Sequence, residues 1–300
     1  MSTKTPFFTI IIPTYNREKL IAKTLNSVLN QEFQSFEIIV IDDGGNDNTE
    51  SVVKAFETNK IVYVKKKNEE RGAARNLGWK IASGEYVTFL DSDDIFYPNH
   101  LKVAFESIKN SNPVCYAQAY EIKNAFTNKQ LVKPYFSNFS TINDQLIKEN
   151  ILSCFGVFLK KDLFKEVQFE EDRNLAGTED WLLWLQLAAR YPVYYNNECT
   201  GALLEHNERS VLSFKEESLI FRAELIKKKL MEDSIFINKF SISAINNIYA
   251  HMLSYASLHL AIGFKRRRAI YYLIKAVKIN IHEISTRRFF AIAKKLFSLK

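Results

Sequence analysis

Three carboxylates stand at the end of one short apolar run: Tyr86-Val87-Thr88-Phe89-Leu90 leads directly into Asp91-Ser92-Asp93-Asp94. Carboxylates this close repel one another, and a hard divalent ion or hydrogen-bond donors must compensate them. A magnesium-type ion held by one or two carboxylates commonly takes substrate phosphates into the rest of its shell. The same acids also read as a polar loop capping the helix that Pro98, Leu101, Phe105 and Ile108 announce. Both readings stand on this loop alone.

Two earlier loops carry groups suited to a nucleoside. Pro13, Tyr15 and Asn16 can pack on a base and hydrogen-bond its edge or its ribose, and Asp43 can accept from a pyrimidine N–H beside Gly44 and Gly45. Asp42 and Asp43 equally suit a turn and helix cap ahead of Asp47 and Thr49. Arg71, Gly72 and Arg75 open a helical pattern, where backbone N–H groups and a guanidinium bind anionic oxygens. Arg75 is the expected diphosphate or nucleotide contact, whereas Arg71 can also pair with Glu69 or Glu70. A dinucleotide bound in dehydrogenase fashion needs Gly-x-Gly-x-x-Gly after the first strand, and that turn is missing.

The elements that position these loops alternate. Apolar runs at 7–12, 37–41, 61–64 and 86–90 are separated by Leu20, Ile21, Leu25, Val28 and Leu29, by Val52, Val53 and Phe56, and by Ala73, Ala74, Leu77 and Ile81, all at helical spacing. This βαβαβαβ pattern predicts an α/β fold with a mostly parallel sheet flanked by helices, whose ligands belong at the carboxyl ends of the strands. The three polar loops sit at those ends. After Asn110 the pattern changes: strands are expected over 114–122 and 152–159, a helix over 141–150, and an aromatic-rich helix over 179–190. From Phe214 onward the chain reads as helical, with breaks near Asp233 and Gly263.

The 47% hydrophobic content suits a sizeable core and excludes a disordered chain. Nothing at the start reads as a signal peptide, and no apolar run reaches spanning length. Cys115, Cys154 and Cys199 offer neither an even disulfide set nor a metal-ligand spacing, so they are expected as small core residues in a cytoplasmic protein. The net charge of +7 is unevenly spread, for residues 261–300 hold eleven Lys and Arg against one acid, Glu283, and the rest of the chain is at −3. A mildly acidic body argues against a general nucleic-acid binder.

Five segments in register carry a family resemblance: IIIPTYNR at 10–17, IVIDDGGNDNT at 39–49, RGAARNLG at 71–78, GEYVTFLDSDD at 84–94 and GTEDWLLW at 177–184. In this order they resemble an inverting glycosyltransferase of family 2 with the GT-A fold, over roughly the first two-thirds of the chain. The resemblance implies that Pro13, Tyr15, Asn16 and Asp43 surround a uridine, that Asp93 faces the nucleotide sugar, and that Asp94 holds Mn2+ or Mg2+ with Asp91 near the donor sugar. It also implies Asp180 as the base that takes the acceptor hydroxyl proton, Glu179 as its helper, Trp181 at the sugar or acceptor pocket, and His206 near the metal or diphosphate.

From the residues alone, Glu179 and Asp180 also read as acids complementing a helix N-terminus, and Trp184 as core. Gly45 stands where the family often has Ser, and the Gln-x-x-Arg-Trp motif of processive synthases is absent, so one sugar per encounter is expected.

In the tail, Phe289, Ile292, Ala293, Leu296 and Phe297 recur at helical spacing beside Arg287, Arg288, Lys294 and Lys295. That pattern suits either an amphipathic helix on anionic lipid or ordinary packing onto the body. The expected organisation is therefore a GT-A catalytic domain over 1–213, divided into a nucleotide-sugar half (1–110) and an acceptor-side half (111–213), with a basic helical extension over 214–300. The expected activity is transfer of one sugar from a nucleotide-sugar donor, a UDP-sugar first, to a glycan or lipid-linked acceptor at the cytoplasmic membrane face. Sugar-phosphate nucleotidyl transfer and a non-enzymatic adaptor using the tail are the rivals.

Overall fold

A computed structural model describes residues 5–124, 130–133, 140–205 and 215–297. In chain order the elements are β1 (Phe8–Thr14), α1 (Ile21–Leu29), β2 (Phe36–Asp42), α2 (Thr49–Lys54), β3 (Ile61–Lys65), α3 (Glu70–Ile81), β4 (Tyr86–Phe89), β5 (Ile95–Phe96), α4 (His100–Ser111), β6 (Cys115–Asn124) and β7 (Gln130–Lys133). They continue with α5 (Asn143–Leu146), β8 (Val157–Lys160), α6 (Glu179–Arg190), β9 (Val193–Glu205), α7 (Glu216–Glu232), α8 (Ser234–Ile262), α9 (Arg266–Ile279) and α10 (Arg287–Phe297).

Two units result, one of residues 1–143 and 151–209, the other of 144–150 and 210–300. The boundary expected between 213 and 214 falls outside the described residues.

In the first unit the strands form one sheet in the order β3-β2-β1-β4-β8-β6-β9-β5, with β7 on β6. The pairs β3–β2, β2–β1 and β1–β4 are parallel, as the alternation of strands and helices predicts. Beyond β4 the sheet turns mixed, with β8 antiparallel to both β4 and β6, and β9 parallel to β6. Phe8, Ile10 and Ile12 of β1 and Ile38 and Val40 of β2 face Ile21, Leu25 and Val28 of α1 in a fully buried cluster. Alternate residues of a strand share a face, so β1 offers its other side, including Ile11, to α3.

The structure departs from the sequence reading in three places. The helix expected over 141–150 shortens to Asn143–Leu146, because the Asn143 amide donates to the carbonyls of Ala188 and Tyr191 and its Oδ1 accepts from Val193 N, stitching this segment to the end of α6. The strand expected over 152–159 begins only at Val157, since the Ser153 hydroxyl accepts from Gly156 N and closes a turn first. The thirteen-residue β9 was not anticipated. Its pairing with β6 shifts register between Gln118 and Ala119 and again between Ala119 and Glu121, so the two-residue alternation that marks a strand is broken.

The second unit is helical. Leu219, Ala223, Ile226 and Leu230 of α7 and Phe236, Ile245, Ile248 and Leu253 of α8 form its interior. Asp233 caps α8 by accepting from Ile235 N and Phe236 N, and the chain leaves α8 at Gly263, both where the sequence places breaks. No described helix is long and apolar enough to cross a membrane.

Candidate active site

The carboxyl ends of β1, β2 and β4 form one rim. Asp43 N donates to Thr14 O across the first two strand ends, and Leu90 N donates to Ile11 O from the fourth. Asn16 leaves β1 with φ 51°, a left-handed conformation that Asn tolerates, and its Oδ1 accepts from Asn46 N at 2.8 Å, joining the first loop to the second. Tyr15 is half exposed at this rim, while Pro13 is buried in β1.

Asp42 takes the structural course left open by the sequence: its Oδ1 accepts from Gly45 N at 2.7 Å and its Oδ2 from the Tyr63 hydroxyl. Burial first, then Asp42, pushes the Tyr63 hydroxyl pKa up, so it stays a donor. Gly44 has φ +80°, and a Cβ there would lie 2.9 Å from Asn68 N, so only glycine makes this turn without strain.

Asp43 is buried beneath the start of α3. Its Oδ1 accepts from Glu69 N at 2.9 Å and from the Lys66 ammonium at 3.0 Å, and its Oδ2 accepts from Glu70 N at 2.8 Å. These bonds hold Glu70 at φ 75°, an uncommon setting for a residue with a side chain.

The acidic turn is equally constrained. Asp94 N donates to Asp91 O, Thr24 Oγ1 donates to Asp94 O at 2.8 Å, and Asp94 Oδ1 accepts from Leu204 N at 3.0 Å. Asp94 is 2% exposed, whereas the Asp91 side chain is 33% exposed. The described residues contain no group of three metal-ligating side chains. Among the described residues Asp93 and Asp94 are therefore not part of a cation cage built from protein side chains alone. His206 lies outside the described residues.

Arg75 joins the acidic turn to the second acidic pair. Its Nη1 donates to Glu179 Oε1 at 2.8 Å and its Nη2 to Asp91 Oδ1 at 2.7 Å, with the guanidinium over the Phe169 ring. Burial would lower its pKa, and Asp91 and Glu179 outweigh that and hold it well above the ordinary value. At 1% exposure, with both terminal nitrogens on carboxylates, it bridges Asp91 and Glu179.

Glu179 is buried too, and its Oε2 accepts from Gly177 N, with Gly177 at φ 92°. Arg71 Nε approaches the same carboxylate at 3.8 Å.

Asp180 begins α6 next to that bridge. Its Oδ1 accepts from Trp181 N at 2.6 Å, and Cys154 Sγ lies 4.0 Å from its Oδ2. Burial, opposed by Arg75 and reinforced by Asp180, Asp91 and Glu179, pushes the Cys154 thiol well up, so it stays neutral beside the acid. Cys154 is the residue the sequence reading missed here: it reads there only as core, and no local signal marks a contact across 26 positions. Trp181 is only 4% exposed, so its ring is mostly packing and not an open pocket wall, and Trp184 is core as expected.

Residues 9–168, more than half of the chain, match the family described as Glycosyl transferase family 2. The chain belongs to glycosyltransferase family 2. Three Rickettsia glycosyltransferases are 34% identical over 60% of it, and the chain spans only 26%, 30% and 30% of their lengths. WfaP of Escherichia coli, a UDP-Glc:alpha-D-GlcNAc-diphosphoundecaprenol beta-1,3-glucosyltransferase, is 28% identical over 82% of this chain and 96% of its own length.

Among solved structures, S. aureus TarS 1-349 in complex with UDP-GlcNAc aligns with a TM-score of 0.70 at 21% identity, covering 96% of this chain and 88% of that one. The mannosyltransferase PcManGT from Pyrobaculum calidifontis, in complex with GDP-Man and Mn2+, aligns with a TM-score of 0.57 at 18% identity over 99% and 89%. At these identities the likeness shows the fold, and it is the GT-A architecture that the family 2 motifs imply.

Proposed function

We propose that this family 2 chain transfers a single sugar, with inversion, from a UDP-sugar to a glycan or lipid-linked acceptor in surface polysaccharide synthesis. The observation that carries the reading is the Arg75 bridge, because it gathers the donor-side acid Asp91 and the base-side pair Glu179–Asp180 at one place. WfaP, similar over nearly its whole length, is named for a UDP-glucose donor and a diphosphoundecaprenol-linked acceptor, and supports both ends of the proposal. Sugar-phosphate nucleotidyl transfer and the adaptor role give way to the family assignment.

In this reading Tyr15, Asn16 and Asp43 receive the uridine, and Asp93 and Asp94 would hold the ribose and a divalent cation. Such a cation, Mn2+ or Mg2+, would supply charge to offset that developing on the departing diphosphate. Asp180 accepts the proton of the acceptor hydroxyl while that oxygen bonds to the anomeric carbon. The bond from that carbon to the diphosphate oxygen breaks in the same displacement, and its electron pair leaves with UDP. An ordinary carboxylate serves, because the hydroxyl proton becomes acidic only as the new bond forms and position near it matters most. Glu179, neutralised by Arg75, sets the start of α6 and thereby the place of Asp180. Arg75 is thus a positioning residue.

The test is release of UDP from UDP-sugars in the presence of a diphospholipid-linked sugar, together with calorimetric titration of UDP into the wild type and Asp94→Ala. Transfer with inversion, and UDP binding that Mn2+ strengthens in the wild type only, are the expected results. Unchanged Mn2+-dependent affinity in Asp94→Ala removes the metal assignment, and retention at the anomeric carbon removes the single displacement.

A further inference from the structure

We infer that the outward faces of α9 and α10 form a surface that docks on an anionic lipid bilayer. Both helices pack against α8, and α9 also pairs with α7 through Arg268–Glu216 and Lys275–Glu224. From α9, Ala269, Tyr272 and Ala276 point inward, and the Ala269 carbonyl accepts from the Ser257 hydroxyl at 2.7 Å. From α10, Ile292 points inward, and Arg288 Nη1 donates to His251 O at 3.1 Å and to Ser254 Oγ at 3.2 Å. These contacts fix which side of each helix is left over.

What is left over is both basic and apolar. On α9 the exposed stripe is Arg267, Ile270, Ile274 and Lys278, one position every three or four residues, with Tyr271 beside it. On α10 it is Arg287, Phe290, Lys294 and Phe297, with Phe290 63% and Phe297 82% exposed. Ile281 and Ile284 are exposed on the turn between them. Among the described residues the exposed large apolar side chains lie in the helical unit, with only Tyr15, Val62 and Ile81 elsewhere. The one acid of residues 261–300, Glu283, is buried at 4%, so the outward surface of this segment carries cations and no carboxylate.

A second copy of the chain would set like charge against like charge, and a duplex would leave the Ile and Phe side chains in water. An anionic bilayer takes both components, the cations at the headgroups and the apolar tips at the acyl boundary. The inference deepens the lipid-linked acceptor reading, since it would bring the enzyme to its acceptor. Its test needs neither donor nor acceptor, so the two can fail separately.

The test is flotation of the full chain with vesicles of phosphatidylcholine alone or mixed with phosphatidylglycerol, at low and high salt. The expected result is binding to the phosphatidylglycerol vesicles that salt weakens, with Lys278→Glu reducing the partition coefficient about fivefold or more and Ile274→Glu and Phe290→Glu lowering it further. These positions are exposed, and an unchanged circular dichroism melt shows that each variant is folded. A full chain that stays with the soluble fraction, binding equal on both vesicle types, or folded variants that float like wild type each overturn the proposal. So does a dimer in light scattering that Ile274→Glu dissolves, because that assigns the face to a second copy.

Discussion

Arg75 in the sheet unit and Arg267 in the helical unit carry the same charge in opposite circumstances. Arg75 is 1% exposed and fixed between Asp91 and Glu179, while Arg267 stands in solvent on a stripe shared with Ile270 and Ile274. A buried ion persists only when partners compensate its lost hydration, so each buried charge in the sheet unit specifies the position of another. An exposed cation specifies nothing within the fold and remains available to something outside it. The difference separates residues that fix one another inside the sheet unit from residues that stay open to a partner outside the helical unit.

Substitutions can break that contrast. The largest effect is expected at Asp180: Asp180→Asn should lower transfer by about 10²–10⁴-fold with UDP affinity unchanged in calorimetry, and near-normal turnover would remove it as the base. Arg75→Met should leave Glu179 buried without its partner and cost about 3–5 kcal/mol in urea unfolding, whereas Arg267→Met should leave the unfolding midpoint where it is. Equal effects at the two arginines would end the distinction between bridge and surface.

A smaller effect compares the two units through pH. His100 in the sheet unit is buried against Phe96, with Thr200 Oγ1 at 2.8 Å, and burial pulls its pKa down to about 3; His251 in the helical unit is pulled to about 3 by burial and by Arg288. Both are neutral when folded and charge when unfolded below about pH 6.5. The unfolded chain then binds protons that the folded chain refuses, so stability falls as pH drops from about 6.5 toward 3. Each histidine should contribute a loss of about 2 kcal/mol between about pH 7 and pH 5. Urea unfolding of His100→Asn and His251→Asn at both pH values checks this, and a slope unchanged in either variant would assign the loss to other groups.

Much of the fold was legible beforehand because it repeats locally. β1 to β4 are short continuous apolar runs and the helices between them show helical spacing, and α6 was placed at its observed bounds, 179–190. Beyond β4 the legibility falls, for β9 is bulged against β6 and the 141–150 helix yields to the cap that Asn143 makes on α6. At the site, the rim of Tyr15, Asn16, Asp43 and Asp91 to Asp94 followed from strand ends alone. The part of Arg75 did not, since its two partners lie 16 and 104 positions away.

The residues by themselves determined the alternation of strands and helices from β1 to β4 and the family, because those depend on side-chain pattern within a few neighbours. Tertiary structure alone decided that Arg75 bridges Asp91 and Glu179, that Trp181 is packed, that Cys154 borders Asp180, and which sides of α9 and α10 remain outward. Each of these depends on what a distant segment brings alongside, and burial, which sets the cost of every charge, exists only once the segments have met.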